Sequence, residues 1–325
     1  MPDLTCTPAV TDRLEGAPGV SATPGVCALN PQARRFHLAL ATAMVGVPTL
    51  GTLAALLLLF HGIVPGWTEL VLLLGGYVFT VTGLGVGFHR LFSHHAFQTK
   101  RWVKILLAIA ASMAGEGPLL FWVATHRRHH CYADTQGDAH SPYYDGARRL
   151  RGITGWWHAH TGWLFGPDVT DVVRYAADLL RDKDLFRINQ TYFVWVLLGL
   201  GLPGLLGGLL SMSWTGAASG LLWGGLVRVF VVHHCTWSAN SICHIFGSRP
   251  FASRDRSTNN WIVALFTLGD GWHNNHHAFP YSAWHGLRWW EIDPNAWSIS
   301  LLARLGLAWD VKRPRPEAVA AKTRT

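Results

Sequence analysis

Nine histidines stand in short sets whose spacing suits a metal. His89 and His94 lie in His-Arg-Leu-Phe-Ser-His, His126, His129 and His130 in His-Arg-Arg-His-His, and His273, His276 and His277 in His-Asn-Asn-His-His. His244 follows Asn240 at a four-residue interval. Imidazole is the commonest protein metal ligand, and residues three or four apart on a helix share a face, so such a set aims its rings at one point. Burying this many neutral imidazoles without a metal would leave many ring nitrogens in need of partners.

Nine imidazoles suit two metals with four or five ligands each, which leaves positions for O₂ or a bridging oxygen. Breaking an unactivated methylene C–H bond needs an oxidant of the kind two irons and O₂ can supply, and redox-inert zinc cannot. Asn240 could hold a metal-bound water through its amide. The chain has no His-Glu-x-x-His and none of the Glu-x-x-His pairs of carboxylate-bridged di-iron bundles, so an imidazole-only site is the remaining reading. The five cysteines form no Cys-x-x-Cys pair, which argues against a thiolate site or a disulfide scaffold.

The elements that must hold these rings are membrane helices. Half of the residues are hydrophobic and 14% are charged, against roughly 25% charged in a soluble domain. The 17 tryptophans suit a membrane–water boundary. Four segments, about 38 to 60, 68 to 88, 191 to 210 and 214 to 233, are long and apolar enough to span. Neither the connection from His61 to Thr68 nor that from Ser211 to Ser213 contains Lys or Arg, whereas Arg34 and Arg35, the loop of residues 89 to 190, and Lys312, Arg313 and Arg315 are basic. The positive-inside rule therefore puts both termini and the histidines on the cytoplasmic side. Between two histidine sets, Trp102 to Val123 reads as a monotopic or buried helix. Gly199, Gly201 and Gly204 fit close helix packing better than a dinucleotide fingerprint, since no βαβ pattern flanks them. Residues 1–33 read as a disordered cytoplasmic tail and 312–325 as a basic C-terminal tail. With this hydropathy, the net charge of +8 suits a lipid surface or an acidic headgroup rather than nucleic acid.

The three histidine sets, their order and their intervals closely resemble the histidine boxes of membrane acyl-CoA desaturases of the stearoyl Δ9 type, especially bacterial ones. The resemblance extends through Gly137-Asp138-Ala139-His140-Ser141-Pro142, Trp156 to Phe165, Trp237 to Ser241 and Gly271 to Trp290, roughly residues 36 to 311 in all. It implies an all-α integral membrane protein over 34–311, with four transmembrane helices and a cytosolic helical cap (89–190 and 234–311) that holds a di-metal site in the inner membrane of a bacterium. By motif, His89, His94, His126, His129, His130, His244, His273, His276 and His277 would ligate two irons, with Asn240 acting through water; which ligand serves which iron stays open. A kinked apolar tunnel beneath the metals would take the acyl chain, and the thioester headgroup would lie on the basic cap.

The implied activity is O₂-dependent insertion of a cis double bond into a long-chain acyl thioester, with acyl-CoA and a Δ9-like position as the closest fit. A hydroxylase, epoxidase or acetylenase could use the same site, and a membrane metal transporter is a third class. No haem, iron–sulfur or dinucleotide motif supplies electrons, so an external reductase with a ferredoxin or cytochrome-type donor is required. The chain departs from the family pattern at Asp270, where Glu is usual, and at Ala139, where Pro is common. His95 is an extra imidazole whose direction differs from that of His94. Asp134 and Asp138 either orient ligand imidazoles or cap loops. His140, His158 and His160 are cap residues, and His233 and His234 cap the fourth span.

Overall fold

Long apolar runs cannot leave their backbone groups unpaired in lipid, so they wind as helices, and helices dominate the computed structural model, which describes residues 25–324. In chain order they are α1 (Pro31–Phe60), α2 (Trp67–Ser93), α3 (Arg101–Ser112), α4 (Leu119–Tyr132), α5 (Gly152–His160), α6 (Lys183–Gln190), α7 (Tyr192–Ser211), α8 (Trp214–His244), α9 (Trp261–Phe266), α10 (His273–Ala278), α11 (Pro294–Arg304) and α12 (Pro316–Lys322). Shorter turns and three two-stranded ribbons complete the cap.

Helices α1, α2, α7 and α8 are the four expected spans, with 30, 27, 20 and 31 residues. At 1.5 Å per residue, even the shortest covers about 30 Å. Their outer faces carry exposed Leu50, Leu53, Leu57, Leu197, Leu205 and Leu209, an apolar belt that suits lipid and not water, and the chain is a membrane protein. Three of the spans run further than hydropathy suggests, the second of them to Ser93. The first starts at Pro31, capped by the Asn30 side chain, which accepts from the Ala33 amide at 2.8 Å. The fourth continues past residue 233 to His244, because helical hydrogen bonding carries on where the apolar sequence stops.

Both expected tails carry ordered structure where they are described. Val26–Ala28 pairs antiparallel with Asp168–Thr170, so ordered structure begins inside the expected 1–33 tail; residues 1–24 lie outside the described residues. At the other end α12 lays Ala318 and Val319 against Phe251 and Phe279, and Lys322 donates to the Ala278 carbonyl at 2.6 Å. Residues 312–324 are thus a strap across the end of α10.

Helices α7 and α8 approach backbone to backbone. A Cβ on Gly207 would lie 2.4 Å from the Gly216 carbonyl oxygen, and one on Gly220 would lie 2.4 Å from that of Pro203. Gly199 and Gly204 also sit at close contacts, whereas Gly201 faces open space. Close packing therefore accounts for two of the three motif glycines. The buried Arg228 of α8 donates to the carbonyls of Gly224, Gly199 and Met113 and to Thr80 Oγ1, tying together α2, α7, α8 and the end of α3.

The expected single helix over Trp102 to Val123 is two helices. Gly115 (φ 77°) and Gly117 (φ 106°) are in the left-handed region, and Pro118 follows, which breaks the helix. A fresh helix, α4, then starts at Leu119 and carries the second histidine set at a new angle.

Candidate metal centre

His89 and His94 are five residues apart, which on an α-helix would separate their directions by about 140°. They nevertheless meet. The end of α2, Gly83–Ser93, winds as a π-helix, and the His94 amide donates to the His89 carbonyl at 3.2 Å, the five-residue bond of that wider coil. Glycines let neighbouring elements pack against this coil: a Cβ on Gly85 would fall 2.1 Å from Asn295 Nδ2, and one on Gly83 would fall 2.4 Å from the Ala111 nitrogen.

All nine predicted histidines converge, in two groups. One ring nitrogen from each of His89, His94, His126, His130 and His276 lies within 4.8 Å of the others, as does one from each of His129, His244, His273 and His277. Each His-x-x-His-His set is divided between the groups. On α4 the four-residue pair His126 and His130 serves the first and His129 the second; on α10 the pair His273 and His277 serves the second and His276 the first.

The spacing of the nitrogens tests whether a metal fits. Nε2–Nε2 distances are 3.0 Å for His89–His276, 2.8 Å for His94–His126 and 2.8 Å for His130–His276. In the second group they are 3.1 Å for His244–His273, 3.1 Å for His273–His277 and 3.4 Å for His129–His277. Two ligands about 2.1 Å from a shared cation stand about 3.0 to 3.4 Å apart between octahedral and tetrahedral angles; the second group lies within that range and the first, with two pairs at 2.8 Å, slightly inside it, so each donor set is close to the spacing a cation requires. Imidazole donors suit iron, zinc, copper or nickel.

Carboxylates behind the rings fix their direction. Asp138 Oδ1 is 2.9 Å from His129 Nδ1, Asp134 Oδ2 is 2.9 Å from His244 Nδ1, and Asp255 Oδ2 is 2.7 Å from His277 Nδ1. A proton on each Nδ1 leaves Nε2 bare and aimed inward. The orienting reading of Asp134 and Asp138 thus fits the geometry. Burial works against the charge of Asp138 and Asp255, but the adjoining imidazoles hold both carboxyls below the usual carboxylate range. Burial and mutual repulsion lower the pKa of His94, His126, His130, His273 and His276, which keeps the rings in the neutral form that ligates.

Asp270 takes the place of the family's usual Glu and still reaches its partners. It stands 3.3 Å from His89 Nδ1, 3.0 Å from the Arg90 guanidinium and 3.2 Å from His285 Nδ1. His285 escaped the sequence reading. It is fully buried, with its ring 4.4 Å from that of His276 and its Nε2 accepting from Arg90. Asp255 and Glu116 were missed as well, since they stand in loops without periodicity.

Other candidates sit aside. His95 is half exposed and pairs with Asp178 at 3.3 Å. His158 meets the Ser141 carbonyl, and His233 meets that of Ala114. His160 joins Ser241 Oγ and His234. His140 is buried, with its ring 4.3 Å from that of His129.

Asn240 belongs to neither imidazole group. It lines a cavity of about 50 Å³ together with Glu116, Trp122, His126, His140 and Trp237. Glu116 accepts from Trp122 Nε1 at 3.1 Å and from Thr236 Oγ1. Burial raises its carboxyl pKa to about 7.

With this geometry in hand, comparisons with known proteins agree. Residues 65–299 match the family described as "Fatty acid desaturase". The chain is 46% identical over 278 residues, 85% of its length and 86% of the relative's, to a hex-5-enoyl-[acyl-carrier protein] acetylenase of Moorena producens. It is 41% identical to an sn-1 stearoyl-lipid 9-desaturase of Anabaena variabilis, covering 71% of this chain and 78% of that one. An acyl-CoA C20 Delta5-desaturase of Anemone leveillei is 39% identical over 72% of this chain and 70% of its own.

Proposed function

Since the chain belongs to the fatty acid desaturase family, and is an oxidoreductase that desaturates fatty acyl chains, we propose that it does so with two irons held by its nine convergent histidines. The observation that carries this reading is the division of the rings into a five-imidazole and a four-imidazole group at metal-ligand spacing. His89, His94, His126, His130 and His276 would hold one iron. His129, His244, His273 and His277 would hold the other, with Asn240 contributing through water. Such a pair, when bound, supplies from O₂ the oxidant that an unactivated C–H bond requires.

The chain's own residues do the rest. Asp134, Asp138 and Asp255 keep the Nδ1 protons of His244, His129 and His277, so each ring presents Nε2 inward. The cavity beside Asn240 and Trp122 borders His126 and gives the reacting methylenes a place next to the histidines. In balance, –CH₂–CH₂– plus O₂, two electrons and two protons gives a cis –CH=CH– and two waters. The electrons come from an outside ferredoxin or cytochrome-type donor served by an NAD(P)H reductase. The substrate is a long-chain acyl thioester, acyl-CoA with a Δ9-like position being the first choice. The spans lie in the inner membrane of a bacterium, with the histidines and both termini in the cytoplasm.

One second reading has specific support: the relative named as an acetylenase suggests that the same centre acts on a chain that already holds a double bond. Expression in a host with a compatible donor, followed by lipid analysis with double-bond localisation, separates the two. New alkenes that vanish in His273→Ala, with the variant still in the membrane, are expected. New alkynes with no new alkene would replace the first reading with the second.

A further inference from the structure

We propose that Glu116 is the proton source of the reaction: its carboxylic acid hands protons into the cavity beside Asn240, one at a time, as O₂ is reduced to water. The inference rests on the acyl-desaturase reading and names the group that delivers the protons this reading consumes.

Glu116 stands between α3 and α4 and is 5% exposed. Among the described residues it is the only carboxyl on the lining of the cavity that it shares with Asn240 and His126, and no Lys or Arg stands on that lining. With no cation there to neutralise a carboxylate, burial favours the acid form. A carboxyl pushed up to about 7 both holds and releases its proton near neutral pH, as a general acid must. The titratable groups that face it are His126 and His140 on the cavity wall, His233 and Cys235 of α8, and Tyr192 of α7.

The two carboxyl oxygens are held in a way that serves both protonation states. Oε2 accepts from Trp122 Nε1 at 3.1 Å, and an indole nitrogen only donates. Oε1 meets Thr236 Oγ1, a hydroxyl that donates or accepts. As a carboxylate, Glu116 accepts from Thr236. As an acid it donates to Thr236 Oγ1, and the threonine turns its own proton to the Val232 carbonyl, 2.8 Å away. Both contacts therefore survive the loss and gain of a proton, so release needs no rearrangement of the wall. Trp122 in turn stacks on the His126 ring at 5.1 Å, which puts the acid one aromatic ring from the first histidine group.

Two buried nitrogens on the same lining, His140 Nδ1 and Trp163 Nε1, have no partner among the described residues. Buried polar groups of this kind are met by water where a cavity has room for it, and about 50 Å³ is enough for one. The proton thus has a carrier between Glu116 and Asn240. In each transfer the Glu116 O–H bond breaks, and a proton passes through that water to an oxygen atom of O₂ that leaves as water. The carboxylate then takes a proton back from solvent. Glu116 is neither oxidised nor reduced; the electrons come from the outside donor.

The test compares the full-length, iron-loaded wild type with Glu116→Gln, Glu116→Asp and, as a control, Glu317→Gln, an exposed acid of α12; iron content checks that each is folded. Glutamine keeps an acceptor for Trp122 and a donor for Thr236 but carries no acidic proton. For Glu116→Gln we expect kcat to fall at least tenfold with KM unchanged. The ratio of wild-type to variant turnover should decline as pH rises through about 7. Glu116→Asp, which restores an acid, should recover part of the rate and of the pH dependence. Infrared difference spectra give a readout apart from turnover: a protonated-carboxyl band of the wild type should fade as pH rises through about 7 and be missing from Glu116→Gln. Should glutamine prevent folding, the aspartate variant and the wild-type band decide. Equal kcat in wild type and Glu116→Gln, a ratio that does not change with pH, or the lack of such a band overturns the proposal while acyl desaturation stands. If the wild type desaturates no acyl chain, it is the functional reading that fails, whatever the infrared spectra show.

Discussion

Asp255 Oδ2 lies 2.7 Å from His277 Nδ1, and this contact joins an aperiodic loop to α10, the helix that carries the third histidine set. Asp255 Oδ1 in turn accepts from the Ser257 amide at 2.9 Å and from the Ser253 hydroxyl at 2.9 Å, so its carboxylate cannot swing away. Its loss frees the His277 ring to rotate and to lose its tautomer.

Asp255→Ala should therefore lower metal affinity about 10- to 100-fold, the range seen when such outer partners are removed. Iron content after dialysis against graded chelator measures this directly. Retention equal to that of the wild type would mean that the loop carboxylate does not set the ring.

Glu116 predicts a pH dependence of stability. Burial raises its pKa from 4.5 to about 7, so the fold favours the neutral acid. The stability this contributes is fully present below pH 4.5 and is lost as pH rises toward 7, on the order of 3 kcal/mol for a shift of this size. Thermal unfolding of wild type and Glu116→Gln between pH 4.5 and 8 should show the variant gaining relative stability up to about pH 7 and holding it constant above. A difference that does not change with pH would contradict the assignment.

The glycine contact between α7 and α8 predicts an asymmetric pair of variants. Gly207→Val places a side chain where a Cβ already meets the Gly216 carbonyl at 2.4 Å, and overpacking of this kind costs about 1–3 kcal/mol. Gly201→Ala meets nothing within 4 Å and should leave thermal stability unchanged or slightly raised. Equal melting temperatures for the two variants would show that the helices pack elsewhere.

The convergence of the histidines was legible where α-helical periodicity applies. His126, His129 and His130, like His273, His276 and His277, announce a shared face because their intervals are three and four. His89 and His94 did not fit that rule, and only the π-helical end of α2 explains their meeting. Asp255 and His285 were not legible, because they arrive from loops whose path is set by the packing of distant segments. The spans were visible as apolar runs, but their ends were not: α8 continues to His244 through polar sequence, and α3 and α4 divide at Gly115, Gly117 and Pro118 within a run that reads as one.

The central claim is best tested by the mass of the product formed from a fully deuterated acyl thioester by the iron-loaded enzyme with O₂ and an electron donor. The account predicts a product that has lost two deuterium atoms and gained no oxygen, and no product when O₂ is withheld. A product that has gained one oxygen atom, or one that forms equally well without O₂, would contradict it.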